Sequence, residues 1–287
     1  MATTERARVD EGNRAQERTW DGDEGDYWAR HADRFDRSVA GYHDGFLAAA
    51  GVRPGDRVLD VGCGAGRTTL DAARAAGEGG AVGVDLSSRL LEVARRRARA
   101  EGVTGARFVR ADAQVHPFAP EAHDLVVSRT GAMFFADPVA AFAGLARTTR
   151  PGGRLVLLVW RAAAENAWIT QVAGALSGVA APPTAGTAPG PFSLADPRHV
   201  EAVLTAAGWS GVALEPRDAP LWFGEDAEDA LRFLLGLFGW QLDGRPAADR
   251  EAAVDRLRAS LVRHEGPRGV RYASAAWLCT ARRGPGR

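Results

Sequence analysis

The chain of 287 residues contains no lysine; all 36 of its Lys/Arg cations are arginine. That absence excludes Schiff-base catalysis, a pyridoxal phosphate anchor and a phosphate-loop lysine. Its only cysteines, Cys63 and Cys279, stand far apart in sequence, so no disulfide framework is expected and a reducing cytoplasm fits. No apolar run reaches the length of a membrane span. The N-terminal "MATTERARVDEGNRAQERTWDGDEGDYW" has no signal-peptide core, so a soluble cytoplasmic protein without membrane contact is expected. Acids and bases balance to a net charge of zero, which argues against nucleic acid as the main partner. The six histidines lack paired ligand spacing with cysteines or acids, and no metal is expected.

What remains is an ordinary globular composition, 46% apolar and 25% charged, in a length suited to one large α/β domain or to a domain with a sizeable insertion. Residues 1–26 are polar and expected to form a flexible segment. Tyr27 to Ala50 reads as helical. Strand-like runs then alternate with helical ones: Arg57–Val61, Ala81–Asp85, Ala106–Arg110, Asp124–Ser128 and Arg154–Trp160, separated by helices near Thr68–Ala76, Arg89–Glu101 and Pro138–Arg150. Such alternation predicts a parallel sheet with helices on both faces. Ala181 to Phe192 is a Pro/Gly-rich loop, followed by a helix opened by Asp-Pro and a strand near Val212–Glu215. Residues 225–264 read as a helical cap inserted before a final strand, Tyr272–Ala281; the α/β domain then comprises 27–224 and 265–287.

The stretch "RVLDVGCGAGRTTL" places Gly62, Gly64 and Gly66 directly after the first strand. A dinucleotide fingerprint reads G-x-G-x-x-G, its third glycine allowing close helix packing beside the pyrophosphate. Here the spacing is G-x-G-x-G and Arg67 holds the third-glycine position, which suits a nucleoside without phosphates better. Asp85 ends the second strand, where a carboxylate can accept from both ribose hydroxyls and repel a 2′-phosphate. The plainer reading is a helix N-terminal acid with Ser87 or Ser88 as cap. In "FVRADAQ", Asp112 can accept from an adenine amino group beside the Ala113 backbone, or can be a turn aspartate. Three such signals at three successive strand ends coincide with the place where open parallel sheets bind ligands.

The ordered set "VLDVGCGAG", "VGVDLS", "FVRADAQ", "DLVVSRTGAMFFADP" and "RPGGRLVLLVW" resembles the class I S-adenosylmethionine-dependent methyltransferases, closest to the small-molecule group of ubiquinone and menaquinone biosynthesis (methyltransferase type 11). The resemblance is close over Tyr27 to Trp160 and looser through "GPFSLADPRHVEAVLTAAGW" to the last strand. It implies a Rossmann-like, seven-stranded, mostly parallel sheet with the last strand antiparallel. It also implies that Asp60 and the Gly62–Gly66 backbone hold the methionine end of the cofactor, with Cys63 as a small packing residue of the loop. Asp85, followed by Leu86, would hold the ribose, Asp112 and Ala113 the adenine, and Ser128 would line the methionyl side; Trp28 is a candidate to close over the cofactor.

Methyl transfer from a sulfonium is an in-line displacement, so the protein must mainly align donor and acceptor and exclude water. A base is needed only where the nucleophile keeps its proton at working pH. His116 is the base candidate, with packing against Pro117 and Phe118 as the plainer reading. Arg129 can pair with an anionic acceptor or serve as a structural ion-pair partner. Phe134, Phe135, Trp160 and Trp168 fall in the family's substrate region, although core packing explains any single one. The apolar faces of 225–264 could roof a pocket or form a homodimer seam. The leading expectation is methyl transfer to a small natural-product intermediate, with S-adenosylhomocysteine as product. The alternatives are a cyclase or sensor that binds the cofactor without methylating, and a nicotinamide-dependent oxidoreductase.

Overall fold

The apolar runs expected to be strands assemble into a single sheet. In the computed structural model, which describes residues 8–179 and 186–284, the strands are β1 (Val58–Val61), β2 (Ala81–Asp85), β3 (Ala106–Arg110), β4 (His123–Arg129), β5 (Thr149–Trp160), β6 (Trp209–Gly224), β7 (Glu265–Gly266) and β8 (Gly269–Arg283). Their order is β3-β2-β1-β4-β5-β8-β6, and β1 to β5 are mutually parallel. β8 runs antiparallel to both β5 and β6. The architecture is the expected Rossmann-like α/β one, with one difference: the two-residue β7 pairs with β8 and makes eight strands of the expected seven. Every residue of β1 is buried, as a central strand covered on both faces requires. Edge strand β3 has no fully buried residue.

Helices α5 (Arg67–Ala76), α6 (Ser88–Ala100) and α7 (Pro138–Thr148) fall where periodicity placed them. Ser87 caps α6 through Leu90 N–H, and Asp137 caps α7 ahead of Pro138. After β5 come α8 (Ala167–Ser177) and α9 (Pro197–Ala206); α10 (Ala227–Phe238) and α11 (Ala247–Arg263) lie between β6 and β8, within the stretch read as a cap. The first residues of the Pro/Gly-rich loop lie outside the described residues.

The N-terminal expectation is corrected. Residues 1–7 lie outside the described residues, but the rest of 1–26 is not a loose tail: a short turn at Glu11–Asn13 leads into α1 (Arg14–Trp20) and α2 (Asp23–Arg30). Its polarity misled because its few buried groups make specific contacts. Asn13 is buried, and the Trp20 ring packs edge-on against Trp28 and Phe134 at 5.4 and 5.3 Å. The helix expected over Tyr27–Ala50 is broken at His31 and Val39, giving α2, α3 (Ala32–Ser38) and α4 (Ala40–Ala50). These helices are joined to α10. Tyr27 Oη donates to Phe233 O at 2.9 Å, and Arg34 pairs with Asp229 at 2.8 Å.

Gly66 starts α5 at φ +83°, and a Cβ there would stand 2.7 Å from Ala94 Cβ and 2.9 Å from the Phe108 ring. Backbone strain and overpacking therefore act together. Gly66→Ala is expected to lower the unfolding free energy by about 2–3 kcal/mol; urea denaturation measures this, and an unchanged midpoint would show that α5 and α6 separate freely.

Candidate functional site

Parallel strands carry their ligands at their carboxyl ends, and here the tips of β1, β2 and β4, with the residues following β3, border one cavity of about 550 Å³. Asp60, Asp85 and Asp112 all line it.

Asp60, on β1, is 1% exposed and accepts a 2.6 Å hydrogen bond from Thr69 Oγ1 of α5. Burial raises its carboxyl pKa to about 6, opposed by the Thr69 hydroxyl and the Arg129 guanidinium. Asp85 accepts from Gly64 N–H at 2.8 Å and from Ser87 N–H at 2.9 Å, one on each oxygen. Burial raises its pKa and these backbone donors oppose the rise. Each of its oxygens keeps a lone pair for a further donor.

The glycine loop works by close approach more than by free amides. Gly62 and Cys63 N–H both reach Val84 O, Gly66 N–H reaches Cys63 O, and Gly64 N–H is held by Asp85. Gly62 has φ +66°, and a Cβ on it would lie 2.8 Å from Gly131 Cα. Gly62, Cys63, Gly64 and Ala65 line the cavity, as do Leu86 and Ala113. Cys63 is a buried thiol whose pKa burial pushes well above the ordinary value, and its Sγ would stand 2.8 Å from a Cβ on Gly83; it is a packing group.

Four expectations change. Gly66 does not line the cavity; it serves the α5–α6 contact described above. Ser128 also lies off the cavity wall: its Oγ donates to Val61 O at 2.7 Å and accepts from Ala132 N–H at 3.0 Å, tying β4 to β1. Arg129, Thr130 and Gly131 line the cavity beyond it. His116 is not among the residues lining the cavity; its ring packs edge-on to Phe118 at 4.5 Å. Among the described residues, no histidine lines the cavity. Asp112 is present, but its carboxylate is occupied: both oxygens accept from Asn13 Nδ2 (3.0 and 2.9 Å), and Gln114 N–H and Asp10 N–H add one bond each.

Arg129 is both wall residue and ion-pair partner. It donates to Asp36 Oδ1 at 3.0 Å and to His43 Nδ1 at 3.3 Å. The expected aromatics Phe134, Phe135, Trp160 and Trp168 all line the cavity. So does Trp28, stacked on Phe35 with 3.4 Å between centroids. The apolar part is completed by Leu221 and Phe223 of β6 and by Phe233, Leu237 and Phe238 of α10, so α10 forms part of its wall. Sequence reasoning missed Asn13, Gln16, Trp20, Glu24 and Asp36. The one available signal was the cluster Trp20, Tyr27 and Trp28 within an otherwise charged stretch.

Among the described residues no cluster of metal-binding side chains is found, and no helix is long and apolar enough to cross a membrane.

The sheet order and the lone antiparallel β8 are those of a Rossmann-like methyltransferase fold, here with a cavity over the strand tips. Residues 58–153 match the family model described as methyltransferase domain, which supports a class I S-adenosylmethionine-dependent methyltransferase. It is 40% identical over 114 residues to Mycobacterium tuberculosis Rv1405c, covering 40% of each chain. It is 39% identical over 114 residues to the ubiquinone/menaquinone biosynthesis C-methyltransferase UbiE of Teredinibacter turnerae, covering 39% of this chain and 46% of that one. The chain thus spans less than half the length of the curated relatives it matches. The crystal structure of YcgJ from Bacillus subtilis shares the fold, with a TM-score of 0.57 and 20% identity over 85% of this chain and all (100%) of that one.

Charged-group hydrogen bonds of the Asn13 kind contribute about 1.5–3 kcal/mol each. Asn13→Ala is expected to loosen α1 from Asp112, seen as faster hydrogen exchange across Glu11–Trp20 while the sheet amides stay protected. Equal protection in the variant would mean that the aromatic contacts alone hold α1.

Proposed function

We propose that the cavity binds S-adenosylmethionine and that the protein transfers its methyl group to a small-molecule acceptor, a natural-product intermediate, in the cytoplasm. The observation that carries this reading is that Asp60, Asp85 and Asp112, from three adjacent strand ends, face one cavity that continues into an apolar chamber. When bound, the cofactor supplies a methyl group already activated by its sulfonium charge.

The residues suit that ligand. Asp85 has one acceptor site left on each oxygen for a vicinal diol, and nothing beside it favours a phosphate. Leu86 and Ala113 would border the base, with Asp112 holding the Asn13 segment against it. Asp60 and the Gly62–Gly64 backbone would face the methionyl end. A buried acid lifted to about 6 gains most from a cationic neighbour. Trp28, Phe35 and the α10 side chains would exclude water from the reacting atoms. The two unpaired, buried cysteines suit a reducing compartment.

Incubation with methyl-labelled S-adenosylmethionine and a panel of aromatic and polyketide-like acceptors tests the reading. Cofactor binding without transfer to the true acceptor would favour a cyclase or sensor role. Asp85→Ala is expected to weaken S-adenosylhomocysteine binding by about 1–3 kcal/mol in calorimetry; unchanged affinity would remove Asp85 from the site.

The Asp60 pKa sets a sign. Its folded value, about 6, lies above the ordinary 3.8, so this group costs the empty protein stability as pH rises through that interval. A cationic ligand favours the ionised form, so binding expels the proton. Cofactor affinity is therefore expected to rise between about pH 5 and pH 7, and Asp60→Asn to flatten that rise. A pH-independent affinity in the unaltered protein would place the cation elsewhere.

A further inference from the structure

With Asp60 and Asp85 assigned to the cofactor and Asp112 to the Asn13 clasp, Glu24, Asp36 and Arg129 are charged wall residues left without a role. Arg129 is poorly placed to receive an anion. Its Nη2 donates to Asp36 Oδ1 (3.0 Å) and its Nη1 to His43 Nδ1 (3.3 Å). His43 Nε2 in turn donates to Asp71 Oδ2 at 2.9 Å, the tautomer that lets Nδ1 accept. A guanidinium binds carboxylate or phosphate best through a free fork of N–H groups; one donor on each terminal nitrogen of this one is already committed, and an anion reaching the remaining N–H groups would stand beside the Asp36 carboxylate.

Asp36 has the spare capacity. Oδ1 accepts from Arg129 and Oδ2 from Arg97 Nη1 at 2.8 Å, leaving a lone pair on each. Its side chain is 23% exposed on the cavity side of α3. Arg97 also donates to Ala65 O at 3.0 Å, so the carboxylate is fixed relative to the glycine loop. The wall as a whole carries Glu24, Asp36, Asp60, Asp85 and Asp112 against Arg129. A further anion would be desolvated and repelled. Beside Asp36 the lining is apolar and aromatic: Phe35, Phe223, Phe233, Leu237, Trp160 and Trp168.

We propose that the acceptor has an apolar body of aromatic character and no negative charge, and that its hydroxyl or amine hydrogen is received by the Asp36 carboxylate. This rests on the methyltransferase reading of the cavity. Arg129, Arg97 and His43 act through Asp36 and are positioning residues. The pair Asp36–Arg129 is the polar end of the acceptor chamber, and an acidic acceptor is excluded by the wall.

Calorimetry with naphthol, naphthylmethylamine and naphthoate, on protein saturated with S-adenosylhomocysteine, tests the proposal. Naphthol or naphthylmethylamine is expected to bind at least about tenfold more tightly than naphthoate, and which of the two leads tells hydroxyl from amine. In Asp36→Asn, with melting behaviour checked, the gap to naphthoate is expected to shrink to about threefold or less. Naphthoate binding as well as the others overturns the proposal. So does an unchanged gap in folded Asp36→Asn, or no binding of either uncharged or cationic probe. If Asp36→Asn fails to fold, the charge series on the unaltered protein decides alone. Failure of S-adenosylhomocysteine to bind, with naphthol still binding, would instead defeat the cofactor assignment.

Discussion

A carboxylate removed from water at the end of the central strand is the constraint around which the rest is arranged. Asp60 sits in a strand whose residues are all buried, with one hydroxyl and a nearby guanidinium as compensation. A buried acid so placed is expensive unless something cationic comes to it. The glycine loop, with its left-handed turns and its tight approach to Gly131, keeps the space beside that acid open. Asp85, one strand away, orders the same loop through Gly64. Fold and site are therefore one arrangement: the loop cannot be altered without moving the acids it separates.

The local parts of this arrangement were legible in the sequence. Strands β1 to β5, helices α5 to α7, the loop glycines and Asp85 are encoded within short stretches, where periodicity and turn chemistry act directly. Asp60, Asp85, Cys63 and the aromatics Trp160 and Trp168 all line one cavity. Ser128 failed for a reason of parity: successive strand residues point to opposite sides, and Ser128 turns toward β1 while Arg129 turns toward the cavity. His116 failed because the turn after Asp112 carries its ring to Phe118.

Contacts between distant parts of the chain were not legible. Asn13 meets Asp112 across 99 residues, and Tyr27 meets Phe233 across 206. Nothing local to "EGNRAQERTW" marks its asparagine as buried, since a polar stretch is ordinarily solvated. The cap was recognisable by its apolar faces, but not which face would look down. That is decided by Tyr27 and Arg34 on the opposite side, through Phe233 and Asp229.

The clasp between Asn13 and Asp112 has a consequence for the shape of the cavity. Gln16, Thr19 and Trp20 of α1 lie across one flank of the cavity, and α10 covers another. The hydrogen bonds of Asn13 to Asp112 hold the first of these helices to the segment following β3. The outline of the hollow is therefore set jointly by the first helix and by the strand ends, and loosening the clasp would reshape the wall while leaving the sheet intact.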